Sequence, residues 1–156
     1  MTLQVGLPVP DFELQDQHGR SVVLSSFRGT QAVVLMFYPF AFSRVCTGEL
    51  SEVRDNQASL VSADVQLLAV SCDPMFALRT FADRDRLEFP LLSDFWPHGE
   101  VSRAFGVFDE KRGCARRSTF IVDRDGVLRW SVHNPLAEAR DLTAYTRVLA
   151  DLSEGR

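Results

Sequence analysis

The stretch Ala32-Val33-Val34-Leu35-Met36-Phe37-Tyr38-Pro39-Phe40-Ala41-Phe42-Ser43-Arg44-Val45-Cys46 decides how this chain folds. Its first part, Ala32–Tyr38, is an unbroken apolar run. A run that short and that continuous predicts a strand buried on both faces. Pro39 ends it, because proline has no N–H to offer a ladder. A helix is then predicted from near Ser43 to about Leu60, with Val45, Leu50, Val53 and Leu60 on one face. Cys46 falls in the first turn of that helix, where backbone N–H groups lack intrahelical partners and the helix dipole is positive. Both effects favour the thiolate, which is the nucleophilic form of cysteine. By position alone Cys46 reads equally well as a small core residue.

Working outward, Phe12–Leu24 reads as a hairpin around the turn signal Asp16-Gln17-His18-Gly19. Val65–Cys72 is a second buried strand, stopped by Asp73-Pro74, and Met75–Arg86 a second helix. Phe89–Leu92 is a short strand and Glu100–Phe105 a short helix. Phe120–Val122 and Val127–Val132 pair around Asp123-Arg124-Asp125-Gly126. Ala137–Leu152 closes the chain as a helix. This order predicts an α/β fold, a mixed central sheet flanked by helices on both faces. It is the order of a thioredoxin-like fold with an N-terminal hairpin extension. Residues 1–156 read as a single domain, a usual domain length.

Composition excludes several function classes. The net charge of -4 is spread over both signs, without the basic stripe of a nucleic-acid binder. No apolar window reaches the ~18 residues of a membrane span. Met1–Pro10 has no basic stretch followed by an apolar run, so no secretory signal is visible and the expected location is cytoplasmic. The three cysteines, Cys46, Cys72 and Cys114, form no C-x-x-C pair and no zinc-spaced cluster. An odd number in a reducing compartment is no disulfide framework. Such thiols stay reduced and available for chemistry.

Residues 39–46 fit the pattern P-x-x-x-[TS]-x-x-C, and Glu49 follows three residues later. Each part has a physical use. Pro39 is a rigid wall without a donor, which keeps water from the sulfur. The Ser43 hydroxyl can hydrogen-bond a thiolate. Glu49 can orient an arginine or receive a backbone N–H. Far along the chain, Arg117-Ser118-Thr119-Phe120-Ile121-Val122-Asp123 leads an arginine into a late strand.

With these motifs the chain resembles the peroxiredoxin family over nearly its whole length. The likeness begins at Gly6-Leu7-Pro8-Val9-Pro10-Asp11-Phe12 and continues through Leu91-Leu92-Ser93-Asp94 and Phe105-Gly106-Val107-Phe108. Phe95-Trp96-Pro97-His98-Gly99 and Ala41-Phe42 resemble the family's one-cysteine alkyl hydroperoxide reductase E subgroup. Ser43 departs from the usual Thr; it keeps the hydroxyl and loses the methyl that fixes its rotamer.

The resemblance implies a thiol peroxidase with Cys46 as the residue attacked by peroxide. It also implies catalytic roles for Ser43, Arg117 and Pro39, a supporting role for Glu49, and no metal, flavin or haem. Cys46 would become a sulfenic acid, with Arg117 stabilising the thiolate and the charge developing on the peroxide oxygens. Arg116 competes for that role, but successive strand residues face opposite ways and the motif's spacing selects Arg117. The nearby Phe40, Phe42 and Phe95 point to organic hydroperoxides as well as hydrogen peroxide.

Regeneration would fall to an external low-molecular-weight thiol or a glutaredoxin-like partner. Cys72 reads as a buried strand-end residue. Cys114 sits among Lys111, Arg112, Arg116 and Arg117, an electropositive loop that would lower its pKa if it is exposed; it reads as an incidental exposed thiol, the alternative being a second redox cysteine. Position 51, a resolving position in one subgroup, holds Ser51, and no C-terminal resolving arm is expected after the last helix. A homodimer is expected to pack through Pro39–Phe42, Asp73–Phe76 and Phe95–His98. Competing readings are a monothiol exchange protein, a redox sensor that uses Cys46 as a switch, and a binding module on the same scaffold.

Overall fold

The computed structural model describes residues 3–56, 64–134 and 142–153. The decisive strand, β3, spans Ala32–Phe37 and is buried at every position. It lies between β4 (Val65–Ser71), which runs parallel to it, and β8 (Ser118–Val122), which runs antiparallel. The parallel sheet continues to β5 (Leu91–Ser93). The hairpin β1 (Glu13–Gln15) and β2 (Ser21–Val23) joins that edge, and β9 (Leu128–His133) forms the other. The seven-stranded order is β2-β1-β5-β4-β3-β8-β9. Asp16 builds the hairpin turn, its carboxylate accepting from His18 N (2.8 Å) and Arg20 N (3.0 Å).

Helices cover both faces, as a doubly buried β3 requires. On one face lie α1 (Arg44–Asp55), α2 (Met75–Asp85) and α4 (Leu142–Ser153). Leu50, Val53, Leu78, Phe81, Tyr145 and Leu149 from these helices pack on Val34, Met36 and Ile121 of the sheet. The opposite core sets Val101 of the short α3 (Glu100–Ala104) and Phe105 just after it, together with Phe12 and Leu24, on Val33, Leu35, Phe37 and Phe120. The fold is the expected mixed α/β, with the alternation of β3 and β8 dividing the two cores.

Several boundaries move, for identifiable reasons. β5 starts at Leu91 instead of Phe89, because Pro90 has no N–H and only its carbonyl is used, accepting from Ala69 N. Val127 stands outside β9 and bridges Pro8 instead. The predicted end of the first helix at Leu60 and the predicted start of the last at Ala137 lie outside the described residues. A two-stranded hairpin, β6 (Phe108–Asp109) and β7 (Cys114–Ala115), was not anticipated. Among the described residues no helix is long and apolar enough to cross a membrane.

Candidate active site

The site forms where β3 and β4 end side by side. Tyr38 N donates to Val70 O (2.9 Å), prolonging the parallel ladder by one residue before Pro39. The chain then turns, and Ala41 N donates to Asp73 Oδ2 (2.9 Å). Ser71 Oγ donates to the same oxygen (2.7 Å), so Asp73 ties the loop after β3 to the end of β4. Ser43 follows as N-cap of α1, with extended backbone (φ -69°, ψ 151°). Its Oγ accepts from Cys46 N at 3.3 Å, which satisfies one of the donors exposed at a helix start. The hydroxyl proton stays available to donate.

Sheet register brings the distant arginine back. Because β8 is antiparallel to β3 and pairs Ser118 with Phe37, the residue before β8 lies level with the end of β3. Arg117 is that residue. Alternation puts it on the side of Thr119, which shares a 2.8 Å hydrogen bond with Tyr145, and of Ile121, which lies in the Cys46 core. Its Nη2 donates to Cys46 Sγ at 3.4 Å and its Nη1 to Glu49 Oε1 at 2.5 Å. Glu49 is one turn beyond Cys46 on α1 and is buried with it. Arg116 is exposed. The sequence left open whether Glu49 meets an arginine or a backbone N–H; it meets the arginine.

These residues surround an open cleft of about 240 Å³, lined by Pro39, Phe40, Ser43, Arg44, Val45, Cys46, Arg112 and Arg117. Sequence reasoning missed Arg44 and Arg112 at this cleft. Arg112 is set there by Asp109, whose Oδ1 accepts from Lys111 N (3.0 Å) and Arg112 N (3.1 Å) and whose Oδ2 accepts from Arg112 Nη1 (3.3 Å). The sequence signal was the turn Asp109-Glu110-Lys111-Arg112-Gly113, in which Gly113 takes φ +68°. Of the three phenylalanines expected near substrate, only Phe40 lines the cleft. Phe42 turns to Phe81 (5.1 Å between ring centroids) and Phe95 to His98 (5.9 Å).

The expectation for Cys114 needs correction. It is buried within β7, not exposed in a loop. Burial pushes its thiol up to about 11, helped by the carboxylate of Asp109, its direct partner across the β6–β7 pair; Arg112 opposes this and loses. The surrounding arginines therefore do not activate it, because loss of hydration outweighs their field. Cys72 is buried as expected, and burial with Asp94 nearby pushes it up to about 12.

A cysteine in the capped first turn after a central strand, held by a buried arginine that a late antiparallel strand delivers, defines a thioredoxin-fold thiol enzyme. Similarity to known proteins narrows the class. The AhpC/TSA family matches residues 5–131. Alkyl hydroperoxide reductase E of Mycobacterium tuberculosis is 44% identical over 151 residues, covering 97% of this chain and 99% of that one. The crystal structure of peroxidoxin BcpB from Mycobacterium tuberculosis superposes with a TM-score of 0.83 at 32% identity, covering 99% of both chains. Enterococcus faecalis AhpC gives 0.86 at 28% identity, covering 99% of this chain and 94% of that one. The chain belongs to the AhpC/TSA family and is a peroxiredoxin, a thiol-dependent peroxidase.

Proposed function

We propose that Cys46 is the residue that the hydroperoxide oxidises, with Ser43, Arg117 and Pro39 completing the catalytic site and Glu49 supporting Arg117. The observation that carries this reading is the 3.4 Å contact from Arg117 Nη2 to Cys46 Sγ, beside a cleft that Pro39 and Ser43 also line. The Cys46 thiolate attacks the terminal oxygen of ROOH in line. The O–O bond breaks, the sulfur gives up two electrons, and ROH or water leaves with the proton. Cys46 becomes a sulfenic acid. Arg117 faces the charge that develops on the oxygens, and the Ser43 O–H donates to them. Glu49 fixes the guanidinium in one orientation, which a buried ion pair does well. Pro39 closes the cleft with no competing donor. Hydrogen peroxide fits the cleft, and Phe40 and Val45 offer apolar surface to an organic hydroperoxide.

An external thiol, low-molecular-weight or presented by a glutaredoxin-like protein, completes the cycle. It condenses with the sulfenic acid, expelling water, and a second thiol frees Cys46. The burial of Cys72 and Cys114, and the shift of both thiols above the range in which they ionise at neutral pH, supports this one-cysteine cycle. The whole chain, 1–156, acts as one unit in a reducing cytoplasm. It works as a homodimer that covers its exposed Phe40, Phe42, Phe76, Phe95 and Trp96.

Intact mass after one equivalent of hydrogen peroxide tests the reading. With dimedone present, one adduct is expected, mapping to Cys46. A loss of two hydrogens instead, mapping to a Cys46–Cys114 or Cys46–Cys72 disulfide within one chain, would overturn the external-thiol cycle.

A further inference from the structure

Arg84, at the end of α2, holds the peptide on both sides of Cys46. Its Nε and Nη2 donate to the two carboxylate oxygens of Asp85 (2.9 and 3.1 Å), which fixes the plane of the guanidinium. Its Cζ lies over the ring of Phe42, 4.8 Å from the centroid, and over that of Phe81 at 5.7 Å. Its Nη2 also donates to Thr47 Oγ1 at 3.4 Å. Phe42 directly precedes the N-cap Ser43, and Thr47 directly follows Cys46.

Two further features show that this grip matters to the turn. Phe42 has φ +69°, a left-handed conformation that a bulky non-glycine residue holds only when its surroundings impose it. The tilted Phe81 ring, 5.1 Å away, and the Arg84 guanidinium are the neighbours that hold it. In addition, α1 meets the same end of α2 one more time, where Arg54 Nη1 donates to Asp85 O at 2.5 Å. Thr47 and Arg54 are two helical turns apart and so share one face of α1. The first turn and the last turn of α1 are both moored at Arg84–Asp85.

We propose that Arg84 is a positioning residue that keeps the Cys46 turn wound, and that it acts in opposite directions on the two halves of the cycle. This rests on Cys46 being the residue that reacts. Peroxide is small and needs the wound turn, because only there do Arg117 and Ser43 converge on the sulfur. A reducing thiol is bulky and must bring its own sulfur onto Sγ, yet Cys46 is 0% exposed. The second half-reaction therefore needs the turn to open, and the mooring at Arg84 resists that opening. The contacts are made by a half-exposed side chain, so their removal changes rates severalfold and does not abolish activity.

The test compares Arg84→Ala, Arg84→Lys and the control Arg79→Ala, which removes an exposed arginine from the same helix. Three quantities are measured: oxidation of the reduced protein by hydrogen peroxide, consumption of preformed sulfenic acid by glutathione, and amide exchange across residues 42–50. For Arg84→Ala the expectation is oxidation slowed by about three- to tenfold, reduction by glutathione accelerated by a similar factor, and faster exchange, all from a local opening that leaves the melting temperature unchanged. Arg84→Lys keeps the cation without the planar stack and should fall between. The proposal is overturned if the two half-reactions move in the same direction, if neither moves, or if Arg79→Ala reproduces the pattern. If oxidation of the parent protein does not occur at Cys46, the reading of the site fails with it; the opposite-sign pattern being absent while Cys46 still reacts removes only the role of Arg84.

Discussion

Arg117 and Glu49 are an ion pair with side chains 1% and 2% exposed, beside a cysteine that is itself buried. Removing either partner takes from the other its buried counter-charge, which destabilises a fold by ~3–5 kcal/mol. The consequence for chemistry is separable from that for stability. Arg117→Ala is expected to slow oxidation of Cys46 by a factor on the order of tens to thousands, the range for losing one donor aimed at developing charge. Arg116→Ala, which removes an exposed charge, should change the rate little. Stopped-flow oxidation by hydrogen peroxide distinguishes them, with melting curves recorded on the same samples. Equal losses in the two variants, or a greater one at Arg116, would mean that the strand's alternation does not decide which guanidinium serves the sulfur.

On the proposed reading, the first turn of α1 is the element on which the chemistry depends. Ser43 Oγ caps it by accepting from Cys46 N, so Ser43→Ala should lower stability by about 1 kcal/mol and also remove a donor from the cleft. Ser43→Thr retains cap and donor and adds the methyl that stiffens the rotamer, so its peroxidase rate should equal or exceed the parent's. A Thr variant as slow as the Ala variant would contradict the assigned role of the hydroxyl. This element was legible in sequence because its signals are local: an unbroken apolar run, a proline stop, a hydroxyl N-cap and a cysteine three residues on. Arg117 was legible only through its motif, and its meeting with Cys46 depends on the register of β8 against β3. The β6–β7 hairpin was not legible. Its strands are two residues each, too short for alternation to show, and its cationic turn suggested an exposed loop. That error carried over to Cys114, whose neighbours in sequence are arginines but whose neighbours in space are Asp109 and the core. Arg84 was invisible for the same reason, since its partners Phe42 and Thr47 lie far back along the chain.

For the whole molecule, the exposed large aromatic side chains are the feature the single chain leaves unexplained. Phe76 is 71% and Trp96 82% exposed, with Phe40, Phe42 and Phe95 also open to solvent. These residues come from the three segments that the sequence marked as an interface, and of them Phe42 also packs on Phe81 of the chain's own core. Exposed aromatics of this kind are the ground for the expected dimer. Sedimentation at micromolar concentration is expected to give a dimer, and Phe76→Glu combined with Trp96→Glu to give a monomer. A parent protein that sediments only as a monomer would contradict this.

The central claim is that hydroperoxide is consumed at Cys46, and turnover is its most direct measure. The parent protein, Cys46→Ser, Cys72→Ser and Cys114→Ser are compared in excess glutathione or another small thiol, following loss of hydroperoxide. The expected result is catalytic consumption by the parent and by the Cys72 and Cys114 variants, and none above background by a folded Cys46→Ser. Consumption by Cys46→Ser at near the parent rate would contradict the account.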